Sequence, residues 1–200
     1  MFEILTGTGL AVAAGLNAYV PLLVLGLAGR FLDFVELPAS WSWLSNDWVL
    51  VILGMLLVIE IIADKIPIVD SINDWIQTIV RPAAGGIAFG TGSTSGTAVV
   101  EDPAAFFSSN AWVPIAIGSL LALATHAVKT ASRPALNAMT VGAAAPVVST
   151  LEDLSSVVLS VLALLLPVLV IVALGALVVG FVVLFRRAKR RRAERRLLTL

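Results

Sequence analysis

The chain has no cysteine, which excludes a disulfide framework, a thiol nucleophile, an iron-sulfur cluster and a thiolate metal site. It is also short of charge: 13% of its residues are charged while 59% are hydrophobic, and mean hydropathy is +1.01. Soluble domains carry about 25% charged residues, so water is not the main solvent for this chain. No positive stretch precedes the first apolar run, which opens Met1-Phe2-Glu3, so a cleaved secretory signal is not expected there. Zinc, serine-elbow and phosphotransferase motifs are missing too. Gly90 to Gly96 is neither a dinucleotide fingerprint nor a P-loop, and Thr94 stands where an esterase elbow needs serine. No catalytic residue and no cofactor are therefore expected.

The charge that is present is unevenly placed. Residues 186–196 hold eight of the thirteen Lys and Arg, while residues 1–185 hold twelve of the thirteen acids. A basic tail, 186–200, thus follows a transmembrane region, 1–185. So dense a cluster beside an apolar span places that end in the cytoplasm of a cell with an inner (plasma) membrane. It would bind anionic lipid at about 1 kcal/mol per charge, and no nucleic-acid partner is needed to explain it.

Apolar runs set out an all-α polytopic transmembrane bundle. Leu154 to Phe185 is broken only by three serines and the helix-bending Pro167, and Ser149 to Glu152 before it matches a capping box. Trp48 to Lys65 and Trp112 to Lys129 each open on an interfacial tryptophan and close on a lysine able to snorkel. Gly7 to Gly29 contains Asn17, Tyr19 and Pro21 and reads as one span or as two half-helices. Pro82 to Val100 and Pro134 to Val148 are rich in small residues and are either full spans or re-entrant segments. If both cross, about six spans result, both termini lie inside, and Phe31 to Asp47 and Glu101 to Asn110 are external loops. If they are re-entrant, four spans remain.

Shifting the chain on itself suggests a duplication, with unit one at 48–102 and unit two at 112–153. Trp48, Gly54 and Lys65 fall on Trp112, Gly118 and Lys129; after an insertion at 66–77, Arg81-Pro82 falls on Arg133-Pro134 and Glu101-Asp102 on Glu152-Asp153. On this frame Pro82 and Pro134 are expected at the first position of new helices. Internal repeats are common in transporter folds.

The residues able to carry chemistry are those whose charge falls within an apolar run. Glu60 and His126 are placed deep in hydrocarbon, while Asp64 and Lys65 are placed at the cytoplasmic interface. Glu60 is either a protonatable or cation-binding carboxylate or one half of an ion pair, with Lys129, Arg133 and His126 as its expected partners. A Glu60–His126 proton relay requires that the two face each other, and the duplicated frame argues against it. Asp70 and Asp74 with Glu60 and Asp64 offer oxygen ligands for a hard cation, although a water-facing surface helix at 66–77 is the stronger reading. Lys65, Arg81, Lys129 and Arg133 are anion ligands or merely topological charges. Glu152 and Asp153 complete the candidates, and Asn17 and Asn137 are expected to bond neighbouring helices.

These residues carry a family resemblance. Gly15-Leu16-Asn17-Ala18-Tyr19, Glu60 through Asp64-Lys65-Ile66-Pro67 with Asp70, Arg81-Pro82, His126 with Lys129 and Arg133, and Ser149 through Glu152-Asp153 resemble a bacterial membrane-protein family known as domain-of-unknown-function family 4126. The resemblance covers nearly all the chain except the tail and implies no activity. A small transporter, channel or lipid-translocating protein is the leading expectation, with membrane lipids and a homo-oligomer as possible partners. A non-catalytic scaffold is the alternative, and an intramembrane enzyme comes last.

Overall fold

The computed structural model describes residues 2–93, 110, 112–140 and 145–197, with side chains set aside at 67–68, 70–71, 135–140, 181, 184–185 and 187–197. The elements among the described residues are all helical: α1 Phe2–Leu16, α2 Tyr19–Phe31, a 3-10 segment Ala39–Ser45, α3 Asp47–Ala63, α4 Pro67–Gly92, α5 Trp112–Thr140, α6 Ala145–Leu165 and α7 Pro167–Leu197.

Helix α1 is the hub, packed against α4, α5, α6 and α7. It can fill that place because its buried face is made of small residues, among them Gly7, Gly9, Ala11, Ala13, Ala14 and Gly15, which let backbones approach closely. The tightest approach joins α4 to α5. A methyl group added at Gly118 would overlap the Gly85 carbonyl, and one added at Gly86 would fall 2.7 Å from Ser119 Oγ.

The first apolar run is indeed two helices, broken at Asn17-Ala18. Asn17 makes the break tolerable: its Oδ1 accepts from the amides of Tyr19 at 3.1 Å and Val20 at 3.2 Å, satisfying the exposed start of α2. Asn46 caps α3 in the same manner, accepting from Trp48 N at 3.0 Å. Leu154 to Phe185 also divides, at Leu166, with Pro167 opening α7 as a residue without an amide hydrogen can.

Three expectations of the sequence are corrected. Pro82 and Pro134 lie inside α4 and α5 instead of starting helices, so the chain does not reverse between Lys129 and Pro134. The capping box at Ser149 fails because α6 has already begun at Ala145 and Ser149 is fully buried. The 66–77 insertion is not a separate short helix. It is the first half of α4, whose exposed side carries Ile72, Trp75, Ile76 and Ile79 while Gln77 is buried.

That last inversion recurs among the described residues. Asn17, Glu60, Asp64, Gln77, Arg81, His126, Lys129 and Arg133 are buried, while α3 turns Trp48, Val51, Met55, Val58, Ile59 and Ile62 outward. Among the described residues, two helices, Trp112–Pro134 and Ala145–Leu165, are long and apolar enough to cross a membrane. A third span results if the 3-10 segment and α3, bent by 66° from one another, count as one.

Candidate functional site

The buried charges meet at one level of the bundle, beside the break between α1 and α2. Breaking a helix leaves its last carbonyls without amide partners. Two of those of α1, Gly15 O and Leu16 O, are taken by side chains from other helices, and a third side chain shares Ala13 O with the amide of Asn17. Arg81 Nη1 of α4 donates to Gly15 O at 3.3 Å, Lys129 Nζ of α5 to Leu16 O at 3.3 Å, and Ser156 Oγ of α6 to Ala13 O at 2.9 Å. Asn17 closes the ring by donating from Nδ2 to Asp153 Oδ1 at 2.9 Å.

From these anchors an alternating ladder of charge runs across four helices. Glu60 of α3 receives Arg81 Nη2 at 2.8 Å, and the same nitrogen lies 3.8 Å from Asp64. Asp64 Oδ2 is 2.7 Å from Lys129 Nζ and 3.4 Å from Arg133 Nη2. Both cations continue to Glu152 of α6, at 3.2 Å and 2.6 Å. Asn73 Nδ2 donates to the other Asp64 oxygen at 3.0 Å. The acids Glu60, Asp64 and Glu152 therefore balance the cations Arg81, Lys129 and Arg133. Such balance is what permits charge in an interior where an unpaired ion costs several kcal/mol.

Arg81 also fixes the state of His126. A guanidinium can only donate, so Arg81 Nη1, 2.9 Å from His126 Nδ1, requires that nitrogen to be an acceptor. The ring hydrogen is then on Nε2, which points at Thr78 Oγ1, 3.2 Å away; Thr78 in turn donates to Asp74 O at 2.8 Å. His126 is thus a neutral imidazole with both nitrogens bonded.

Glu60 is 1% exposed and has a basic partner, which is Arg81 and not Lys129, Arg133 or His126. The solvation expected for Asp64 is absent: it is 1% exposed, at the centre of the ladder. Lys129 does not snorkel; it is buried in ion pairs, whereas the half-buried Lys65 bonds Ile61 O at 3.1 Å. The two lysines aligned by the supposed repeat therefore occupy different places. Glu60 and His126 do not touch as a relay would need, because Arg81 stands between them. Of the proposed anion ligands, Arg81, Lys129 and Arg133 are engaged by carboxylates. Among the described residues, no three His, Cys, Asp or Glu side chains form a group able to hold a metal ion. The side chains of Asp70 and Asn137, and the pair Glu101-Asp102, lie outside the described residues.

Sequence reasoning missed Asn73, Gln77 and Thr78. The signal was a polar stripe, Asn73-Gln77-Arg81, at helical spacing opposite the stripe Ile72-Ile76-Ile79.

No curated protein and no solved structure matches this chain. A family model does, over residues 4–187, and it includes every residue of the ladder. The chain belongs to the family described as Domain of unknown function (DUF4126).

Proposed function

We propose that this is a multi-pass protein of the inner (plasma) membrane that moves a polar or ionic solute, or an anionic lipid, across the bilayer. The observation that carries the reading is the charged ladder seated at a broken helix. Discontinuous helices with polar backbone turned toward buried charge are how many transporters build a binding site at membrane depth. An apolar exterior around a polar interior supports the membrane setting, since lipid is the solvent that rewards that arrangement. The cytoplasmic placement of the C-terminus rests on the basic tail alone, because Arg81, Lys129 and Arg133 serve ion pairs and no longer speak to orientation. The break between α1 and α2 lies at the level of the ladder, so that pair is read as a single interrupted crossing. The count of six reached from apolar runs falls because α5 runs on through Pro134, where two crossings were counted.

Purified protein in liposomes, screened for movement of protons, inorganic ions, phosphate and labelled anionic lipid, tests this. Flux above that of empty vesicles, lost in Glu60→Gln while folded protein remains in the membrane, is the expected result. No flux of any of them sinks the reading.

The even match of acids to cations favours a second reading, a scaffold held together by its ion pairs. Glu60→Gln separates the two: a scaffold loses assembly and any activity together.

A further inference from the structure

The Glu60 carboxylate is engaged on one side only. Its Oε1 accepts from Arg81, while Oε2 is buried and has no hydrogen-bond partner in the protein. One turn before Arg81, Gln77 is 2% exposed, and its Oε1 is buried and unpartnered as well. The two side chains share surroundings, for Tyr19 of α2 bonds the Gln77 side chain and lies in the field of the Glu60 charge. Both orphaned atoms are acceptors. As the amide stands, a hydrogen between them is what would satisfy both, and the competing solution is a Gln77 amide turned about so that its NH2 meets Glu60.

We infer that Glu60 and Gln77 form a proton-binding site, in which a proton taken up on Glu60 Oε2 is shared with Gln77 Oε1 and releases Arg81 toward Asp64. The inference rests on the transport reading, for which it names the ion. Every neighbour of Glu60 favours a proton over a metal cation. Arg81 of α4 already holds Oε1, Lys129 of α5 adds a second positive charge, and Tyr19 of α2 is an uncharged phenol. Asp64, on α3 itself, is committed to Lys129, and Glu152 of α6 is reached only through the same lysine. A metal ion would enter against two cations and need oxygens already bonded, whereas a proton needs one oxygen.

The step balances simply. A proton from water forms the Oε2–H bond, the carboxylate loses its charge, and the Arg81 ion pair to Glu60 weakens. Asp64, 3.8 Å from Arg81 Nη2, is the nearest carboxylate left for it. Meanwhile Nη1 keeps its bond to the neutral His126 ring, so the guanidinium turns about a fixed point.

Infrared difference spectra of the full chain in lipid nanodiscs, recorded as pH is lowered, test the site. A protonated-carboxyl stretch should grow in, and it should be missing from Glu60→Gln. In Gln77→Leu the band should move to the frequency of a free carboxyl, and proton affinity should fall about tenfold, the worth of one hydrogen bond. If Glu60→Gln does not fold, the Gln77→Leu shift alone decides. A wild-type spectrum without a titrating band, or a band unmoved by both substitutions, means that water or a turned Gln77 amide satisfies the Glu60 oxygen and overturns the site. Liposome flux is read separately: a band without flux keeps the site and removes transport, and flux without a band does the reverse.

Discussion

At the scale of single residues, Asp64 is where the ladder is most exposed to damage. It faces Lys129, Arg133 and Arg81 at once, and all three belong to other helices. Asp64→Asn leaves a surplus of buried positive charge and should cost about 3–5 kcal/mol, read as a lower unfolding midpoint in detergent. Glu152→Gln, at a carboxylate 14% exposed and at the end of the ladder, should cost clearly less in the same assay. The single histidine gives a second test without any substitution. Nitrogen NMR of protein labelled only at histidine should show one neutral ring protonated at Nε2 at neutral pH; the Nδ1-protonated form would contradict the Arg81 bond. Which residues belong to the site was largely legible, because charge within an apolar run has to be explained. Which residue meets which was not. Pairing depends on how α3, α4 and α5 are rotated against one another, and the apolar run of α3 gives no phase from which to read that rotation.

At the scale of elements, the break at Asn17 is held by one side chain. Asn17→Ala removes both the cap of α2 and the bond to Asp153, and should cost about 1–2 kcal/mol, measurable by the same unfolding assay. The α4–α5 contact makes a sharper prediction. Gly118→Leu cannot fit against the Gly85 carbonyl and should destabilise by about 1–3 kcal/mol or more, whereas Gly54→Leu, with open space beside it, should be neutral. Helix α3 could be read from Trp48 onward because apolar length and an interfacial tryptophan mark it, and the half-helix break could be read from Asn17. The Arg-Pro steps misled because proline usually ends a helix in water. Within a tightly packed bundle, neighbouring groups can satisfy the carbonyl that proline leaves free, and α4 and α5 pass through Pro82 and Pro134.

At the scale of the whole molecule, the outward apolar face is the feature to challenge. Trp75 is 82% exposed on the half of α4 that the sequence suggested was wet. In this cysteine-free chain, a single cysteine at position 75 should resist a membrane-impermeant maleimide, while one in the tail should react only once the cytoplasmic side is opened. Fast labelling at 75 in intact membranes would return that half of α4 to water. The alternation of charge also has a consequence for how the protein is made. The ladder's members leave the ribosome in a fixed order, Glu60, Asp64, Arg81, Lys129, Arg133 and Glu152. A nascent chain that ends before Lys129 therefore presents Glu60 and Asp64 with one guanidinium between them, and on the membrane reading proposed above α3 alone in lipid would carry an unbalanced charge. On that reading stable insertion would wait for Lys129 of α5, 65 residues after Asp64. Until then α3 and α4 would need shelter together at the membrane's insertion machinery, so that a later helix decides whether these earlier ones stay.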